Sequence, residues 1–161
     1  MATDAIHTTG SQARAFRAAD PVRILVVEDS ADDLLFLERA FRRVGVPMFY
    51  RSIGDGVDAM EFLRGDGRYA DRAEHPAPTH LILDLKIPRL SGLELLRWIR
   101  REGGPRDLKV VLLSSSDEPR DLEAAAELGV DRYFRKPSRL RDLAETVTEI
   151  ARLWGLSLSL S

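Results

Sequence analysis

Residues 24–30 read ILVVEDS: four consecutive apolar residues, then two carboxylates and a serine. Because the apolar run is not interrupted by polar residues, it predicts a strand covered on both faces, which is typical of a parallel sheet. Apolar residues then recur at helical spacing from Ala31 to Val44, and Gly45 supplies a left-handed stop. A strand, two acids and a helix in this order predict the first unit of an α/β fold.

The same strand-then-helix unit recurs along the chain. Further strands are predicted at 47–53, 81–83, 110–113 and 132–135, and further helices at 57–63, 91–103, 119–128 and 138–154. The polar stretch 65–78, with its glycines and prolines, predicts a long loop. Strict alternation of this kind predicts an α/β fold with a doubly wound, five-stranded parallel sheet and helices on both faces.

Composition excludes several classes of protein. The chain has 161 residues, of which 44% are hydrophobic and 31% charged, as expected for one globular domain. With no cysteine, it has no disulfide, thiolate zinc site or cysteine nucleophile. The net charge of −2 indicates no basic nucleic-acid-binding face. No apolar run approaches the roughly 20 residues of a membrane helix, and no secretory signal pattern occurs, so we expect a cytoplasmic protein.

Polar residues follow the predicted strands at the points where the strands end. Glu28 and Asp29 follow the first strand, Asp84 the third, Ser114 the fourth, and Lys136 the fifth. Because sites in such sheets form beyond the carboxyl ends of the strands, we expect these groups to converge. Neighbouring carboxylates bind either a proton or a cation, and their oxygens suit Mg²⁺. A carboxylate beside such an ion is a competent phosphoryl acceptor.

Four segments in fixed order carry a resemblance to a known family. They are ILVVEDS (24–30), LILDLKIPRLSG (81–92), VVLLSSSDE (110–118) and GVDRYFRKPS (129–138). With them the chain resembles a response-regulator receiver domain, which implies a flavodoxin-like (βα)5 fold.

The resemblance implies a role for each residue at the strand ends. Asp84 would be the phosphoacceptor and Lys136 the phosphate-binding lysine. The implied ligands of Mg²⁺, or of Mn²⁺, are Glu28, Asp29, Asp84 and the backbone carbonyl of Lys86. Ser114 and Tyr133 would form the switch, and Lys86 and Ser116 would tune the rate of dephosphorylation. Because Ser114 is the first of three consecutive serines, a neighbouring position stays an alternative for the switch.

The expected function is that of a single-domain response regulator in a two-component phosphorelay. Asp84 would accept a phosphoryl group from a sensor histidine kinase, and the output would be a protein–protein interaction. Such a chain is not an enzyme acting on a metabolite, since it catalyses only its own phosphorylation and dephosphorylation. The alternatives are an unphosphorylated scaffold and a small Mg²⁺-dependent phosphatase. Against the phosphatase, Lys86 stands where that chemistry needs a second aspartate.

Two segments indicate the subfamily and the domain organisation. The long loop before the third strand and the end of the last helix resemble stand-alone response regulators that partner phytochrome-type kinases. We expect a mobile arm at 1–20, the receiver domain at 21–154 and an apolar tail at 155–161. We also expect a homodimer in which this tail packs on the second subunit, the alternative being a tail that folds back on its own domain.

Overall fold

Five parallel strands form one sheet in the computed structural model, which describes residues 21–159. The strands are β1 Ile24–Val27, β2 Arg51–Ile53, β3 His80–Leu83, β4 Lys109–Ser114 and β5 Arg132–Arg135. Their order in the sheet is β2-β1-β3-β4-β5. The chain therefore places β2 on one side of β1 and the remaining strands on the other side. The predicted α/β fold with a five-stranded parallel sheet is confirmed.

Five α-helices connect and follow the strands: α1 Ala31–Val44, α2 Gly56–Arg64, α3 Gly92–Arg97, α4 Pro119–Glu127 and α5 Leu140–Leu153. The bounds of α1 are set locally. The hydroxyl of Ser30 accepts a hydrogen bond from the backbone N–H of Asp33, and Gly45 ends the helix at a φ of 74°. A side-chain oxygen at the first position and a left-handed glycine after the last turn are the usual stabilising caps.

Two apolar layers cover the sheet, one on each face. Successive residues of a strand point to opposite faces, so Leu25 and Val27 pack with α2, α3 and α4, whereas Ile24 and Val26 pack with α1 and α5. The strands β1 and β3 are buried along their whole length, as the unbroken apolar runs predict. This leaves the carboxyl-terminal edge of the sheet free for polar groups.

Two elements differ from their predicted bounds. β2 is three residues long rather than spanning 47–53, because only Arg51–Ile53 pair with β1. The helix predicted at 91–103 is α-helical only to Arg97 and continues as a π-helical turn over Trp98–Glu102. The guanidinium of Arg100 in this turn donates to backbone carbonyls in the loop before β4 and at the end of α4.

The loop predicted at 65–78 is packed on the domain rather than extended. Its one short 3₁₀ turn, Gly67–Tyr69, buries the ring of Tyr69 edge-on against Phe62, with 4.9 Å between the ring centroids. The hydroxyl of Tyr69 also donates to the carboxylate of Asp58 on α2. The loop is therefore anchored to α2 by an apolar contact and a hydrogen bond.

The apolar tail folds back on its own domain as far as residue 159. Trp154 packs on His80, Leu156 contacts the α1/α5 layer, and the backbone N–H of Ser159 donates to the carbonyl of Gly45 at 2.9 Å. Residues 155–159 therefore take the alternative arrangement, in which the tail lies on its own domain, and Leu158 stays 37% exposed there. Packing of the tail on a second subunit stays a prediction. The arm predicted at 1–20 and the last two residues of the predicted tail, 160–161, lie outside the described residues.

Within residues 21–159, none of the helices has both the length and the apolarity required to span a bilayer.

Candidate functional site

The polar residues at the strand ends lie together at the carboxyl edge of the sheet. Backbone hydrogen bonds that extend the strand pairing hold three of them in place. The N–H of Glu28 donates to Ile53, that of Asp84 to Val27, and that of Lys136 to Ser114. These bonds are 2.9–3.0 Å long, so the hydrogen bonding of the sheet continues to the residues of the site.

Three carboxylates form a compact group at this edge. Glu28, Asp29 and Asp84 each offer an oxygen, and these oxygens lie within 4.8 Å of one another. Glu28 and Asp84 are buried, whereas Asp29 is exposed. Mg²⁺ and similar divalent ions bind hard oxygen ligands such as carboxylates in proteins. The residues present therefore fit such an ion.

The ammonium of Lys136 lies among three carboxylates. Its Nζ is 2.5 Å from Glu28 Oε2 and 2.8 Å from both Asp84 Oδ2 and Asp33 Oδ2. Burial disfavours the charged ammonium, but hydrogen bonds to the three carboxylates outweigh burial and raise the pKa of Lys136. The lysine is therefore held charged and is the principal cation of the site.

The two buried carboxylates have opposite pKa shifts. Burial raises the pKa of Glu28 to about 7, although Lys136 and the N–H of Ser30 act in the other direction. Burial also works against the charge of Asp84, but hydrogen bonds from Lys136 and Ser114 outweigh it and lower the pKa of this carboxyl. Asp84 is thus the carboxylate that the surrounding donors keep ionised.

Both oxygens of Asp84 accept hydrogen bonds. The hydroxyl of Ser114 donates to Oδ1 at 2.8 Å, and the backbone N–H of Lys86 reaches the same oxygen at 3.2 Å. Lys136 donates to Oδ2. Ser114 is fully buried and Ser115 is exposed, so of these two serines the structure brings Ser114 to Asp84. The side chain of Lys86 is exposed at the edge of the site.

A second hydrogen-bonded group links the site to α4. The hydroxyl of Ser116 donates to Asp121 Oδ2 at 2.5 Å, and the hydroxyl of Tyr133 donates to the backbone carbonyl of Ser116. The N–H of Ser116 in turn reaches the hydroxyl of Ser114 at 3.4 Å. A continuous chain of hydrogen bonds therefore connects Asp84, through Ser114 and Ser116, to the aromatic ring on β5.

Sequence reasoning missed two of these carboxylates. Asp33 lies in the first turn of α1, and Asp121 in the first turn of α4. An acid in the first turn of a helix is ordinarily explained by the helix dipole, so neither position stands out in the sequence. The one available signal for Asp33 was that α1 begins directly behind Asp29, which brings its first turn to the same edge of the sheet.

Comparisons with known proteins give a consistent result. The family described as response regulator receiver domain matches residues 24–148. A probable methanogenesis regulatory protein, FilR2 of Methanothrix harundinacea, is 36% identical over 140 residues, which cover 85% of this chain and 86% of FilR2. Response regulator Rcp1 of Synechocystis is 32% identical over 134 residues, which cover 83% of this chain and 89% of Rcp1.

Solved structures of two relatives have the same fold. The Mn²⁺-bound form of Rcp1 superposes with a TM-score of 0.74 at 31% identity, over 87% of this chain and all of Rcp1. The phosphorylated cyanobacterial phytochrome response regulator RcpA superposes with a TM-score of 0.75 at 30% identity, over 86% of this chain and 99% of RcpA.

Proposed function

The chain belongs to the response regulator receiver domain family, and from this premise we propose that Asp84 is the carboxylate that accepts the phosphoryl group. The observation that carries the proposal is the environment of Asp84. It is a buried carboxylate, kept ionised by Lys136 and Ser114, and within 4.8 Å of the oxygens of two further acids. Attack on phosphorus requires an ionised oxygen, and fixed donors beside it can stabilise the charge on the phosphoryl oxygens.

In the proposed reaction the phosphoryl group passes from a histidine of a sensor kinase to Asp84. An oxygen of Asp84 bonds to phosphorus as the bond from the histidine nitrogen to phosphorus breaks, and the imidazole leaves with that electron pair. Lys136 and the hydroxyl of Ser114 already donate to Asp84, so they are placed to donate to the phosphoryl oxygens that arrive there. The chain would catalyse only this transfer to itself and the later hydrolysis.

A divalent ion, Mg²⁺ or alternatively Mn²⁺, belongs to the same proposal. Glu28, Asp29 and Asp84 supply its carboxylate ligands, and the backbone carbonyl of Lys86 is a further candidate. When bound, such an ion offsets the negative charge of the incoming phosphoryl group. The carboxylate geometry supports this assignment, as does the Mn²⁺-bound form of Rcp1 at 31% identity.

Ser114 and Tyr133 are the proposed switch. A phosphoryl group would draw the hydroxyl of Ser114 from the carboxylate to a phosphoryl oxygen, since the new group carries more charge. Ser114 contacts the N–H of Ser116, whose carbonyl holds the hydroxyl of Tyr133, so the shift would reach β5 and α4. This face of the domain would then bind its protein target differently.

Lys86 and Ser116 are proposed to tune dephosphorylation in different ways. The exposed side chain of Lys86 is free to approach a phosphoryl group on Asp84. The hydroxyl of Ser116 is directed to Asp121 instead, so Ser116 would act through the position of the loop between β4 and α4.

The proposed partners follow from the family and from the relatives. We propose a sensor histidine kinase, of the phytochrome type, as the phosphoryl donor, in agreement with the description of RcpA as a phytochrome response regulator. The proposal places both proteins in the cytoplasm, where ATP is available to the kinase.

The proposal also includes a homodimer, for which the exposed apolar side chains of Leu122 on α4 and Leu153 on α5 are candidate contacts. Light scattering over a range of concentrations tests the dimer, and a monomer throughout would contradict it.

The phosphoacceptor is tested with acetyl phosphate and Mg²⁺, followed by intact mass spectrometry. The wild-type chain should gain one phosphoryl group, and Asp84→Asn should gain none. Asp32→Asn, which removes an exposed carboxylate on α1, is the matched control and should gain the group as the wild type does. Addition to both the wild type and Asp84→Asn, or to neither, would overturn the assignment.

A further inference from the structure

The three carboxylates around Lys136 are not equivalent. Glu28 and Asp84 also belong to the group whose oxygens lie within 4.8 Å of one another and are the proposed metal ligands. Asp33 is outside that group, lies on α1 and is about half exposed. Within residues 21–159, Asp33 is therefore the one partner of Lys136 that a divalent ion would leave available.

The number of donors on the lysine makes this difference important. An ammonium has three N–H groups, and three carboxylates surround the one on Lys136. A divalent ion that enters the carboxylate group takes oxygens from two of these three partners. The ion also repels the ammonium of Lys136. The ammonium must then shift toward a different anion or remain partly unpaired, although the side chain of Lys136 is only 17% exposed.

The local structure of α1 suits Asp33 to this role. Its backbone N–H donates to the hydroxyl of Ser30 at 3.2 Å, which fixes its place in the first turn. A carboxylate at this position is favoured by the helix dipole, and its side chain reaches Lys136 while still in contact with water. Asp33 thus contacts Lys136 without the burial that Glu28 and Asp84 undergo.

We propose that Asp33 is a positioning residue that holds the ammonium of Lys136 when a divalent ion takes the oxygens of Glu28 and Asp84. This inference rests on the proposed metal site. Without Asp33, none of the described residues offers the ammonium an anion outside the metal group, so the ammonium competes with the ion for the same oxygens and the ion binds more weakly. Asp33 itself is not among the proposed metal ligands.

The test is the affinity for Mn²⁺ alone, measured by isothermal titration calorimetry on the full chain. Asp33→Asn should weaken Mn²⁺ binding about fivefold, the effect expected of a half-exposed ion pair. Asp33→Glu, which keeps the carboxylate, should restore the wild-type affinity to within about twofold. Asp32→Asn removes the same charge from the neighbouring exposed residue and should also change the affinity by less than about twofold.

Measurements in the Lys136→Met variant separate an effect that Asp33 exerts through the lysine from a direct effect of the charge of Asp33 on the ion. In Lys136→Met, adding Asp33→Asn should change the Mn²⁺ affinity by less than about twofold, because the group through which Asp33 acts is absent. A fivefold loss that persists in Lys136→Met would overturn the proposal, as would an unchanged affinity in Asp33→Asn alone. Urea unfolding without metal shows whether each variant is folded.

Failure of the metal site itself gives a different result. If the site is as proposed, Asp29→Asn should remove most of the Mn²⁺ binding. Equal binding by the wild type and Asp29→Asn would contradict the proposed site, whatever Asp33→Asn does. Loss of binding in Asp29→Asn together with wild-type binding in Asp33→Asn would contradict only the role of Asp33.

Discussion

His80 should make the free energy of unfolding decrease as the pH is lowered from 8 to 5. This residue begins β3, at the edge of the sheet opposite the site, and is only 4% exposed. Its ring lies 4.6 Å from that of Trp154, centroid to centroid, and its Nδ1 is 2.7 Å from the hydroxyl of Thr79. Burial lowers the pKa of His80 from 6.5 to about 4; the charge of Lys109 acts in the same direction and that of Asp131 against it.

The sign follows from which state binds the proton. In the unfolded chain the imidazole takes up a proton near pH 6.5, whereas in the folded domain it does so only near pH 4. Between these values the unfolded state binds more protons, so the stabilisation present above pH 6.5 is lost as the pH falls. Linkage with these two pKa values gives a loss of about 2 kcal/mol at pH 5 relative to pH 8.

Urea unfolding of the wild type and of His80→Gln at both pH values measures this loss. Glutamine does not titrate, and the packing lost with the ring costs the same at either pH. The difference in pH dependence between the two proteins therefore isolates the imidazole of His80. If His80→Gln lost as much stability between pH 8 and pH 5 as the wild type, the assignment to this histidine would be refuted.

Three further substitutions test contacts within the fold. Gly92→Ala should lower the free energy of unfolding by about 2 kcal/mol, because a Cβ there would lie 2.3 Å from the carbonyl oxygen of Asp84; an unchanged urea midpoint would contradict this. Ser116→Ala and Asp121→Asn should each cost about 1 kcal/mol, and together no more than either alone, because they share one hydrogen bond; additive losses in a double-mutant cycle would argue against it. Arg100→Lys should cost about 1–2 kcal/mol by calorimetry, since a lysine cannot span the carbonyls that the guanidinium reaches, and a melting temperature equal to that of the wild type would show those bonds to be dispensable.

Features that depend on nearby residues could be predicted from the sequence. α1 has the predicted bounds, Ala31–Val44, because its apolar spacing, the Ser30 cap and the Gly45 stop all lie within the segment. The convergence of the strand-end residues was also predictable, since parallel topology alone brings the carboxyl ends of neighbouring strands to one edge. The geometry agrees with this for Glu28, Asp84, Ser114 and Lys136.

Features set by distant parts of the chain could not be predicted. Asp33 and Lys136 are 103 residues apart, and their contact depends on how α1 lies across the sheet. The short β2 depends on how many residues pair with β1, and the fold-back of the tail includes a hydrogen bond from Ser159 to the carbonyl of Gly45. None of these contacts leaves a periodicity or a local motif in the sequence.

The charge balance of the site explains why its parts depend on one another. Among residues 21–159, the ammonium of Lys136 contacts the carboxylates of Glu28, Asp33 and Asp84, and a fourth carboxylate, that of Asp29, lies near two of these. Two of the four are buried, where an uncompensated charge is most costly. The pocket can reduce this cost by taking up a proton, as the raised pKa of Glu28 indicates, or by taking up a divalent ion. Because an incoming phosphoryl group adds negative charge to the same pocket, the ion and the position of the lysine both bear on whether Asp84 can accept it.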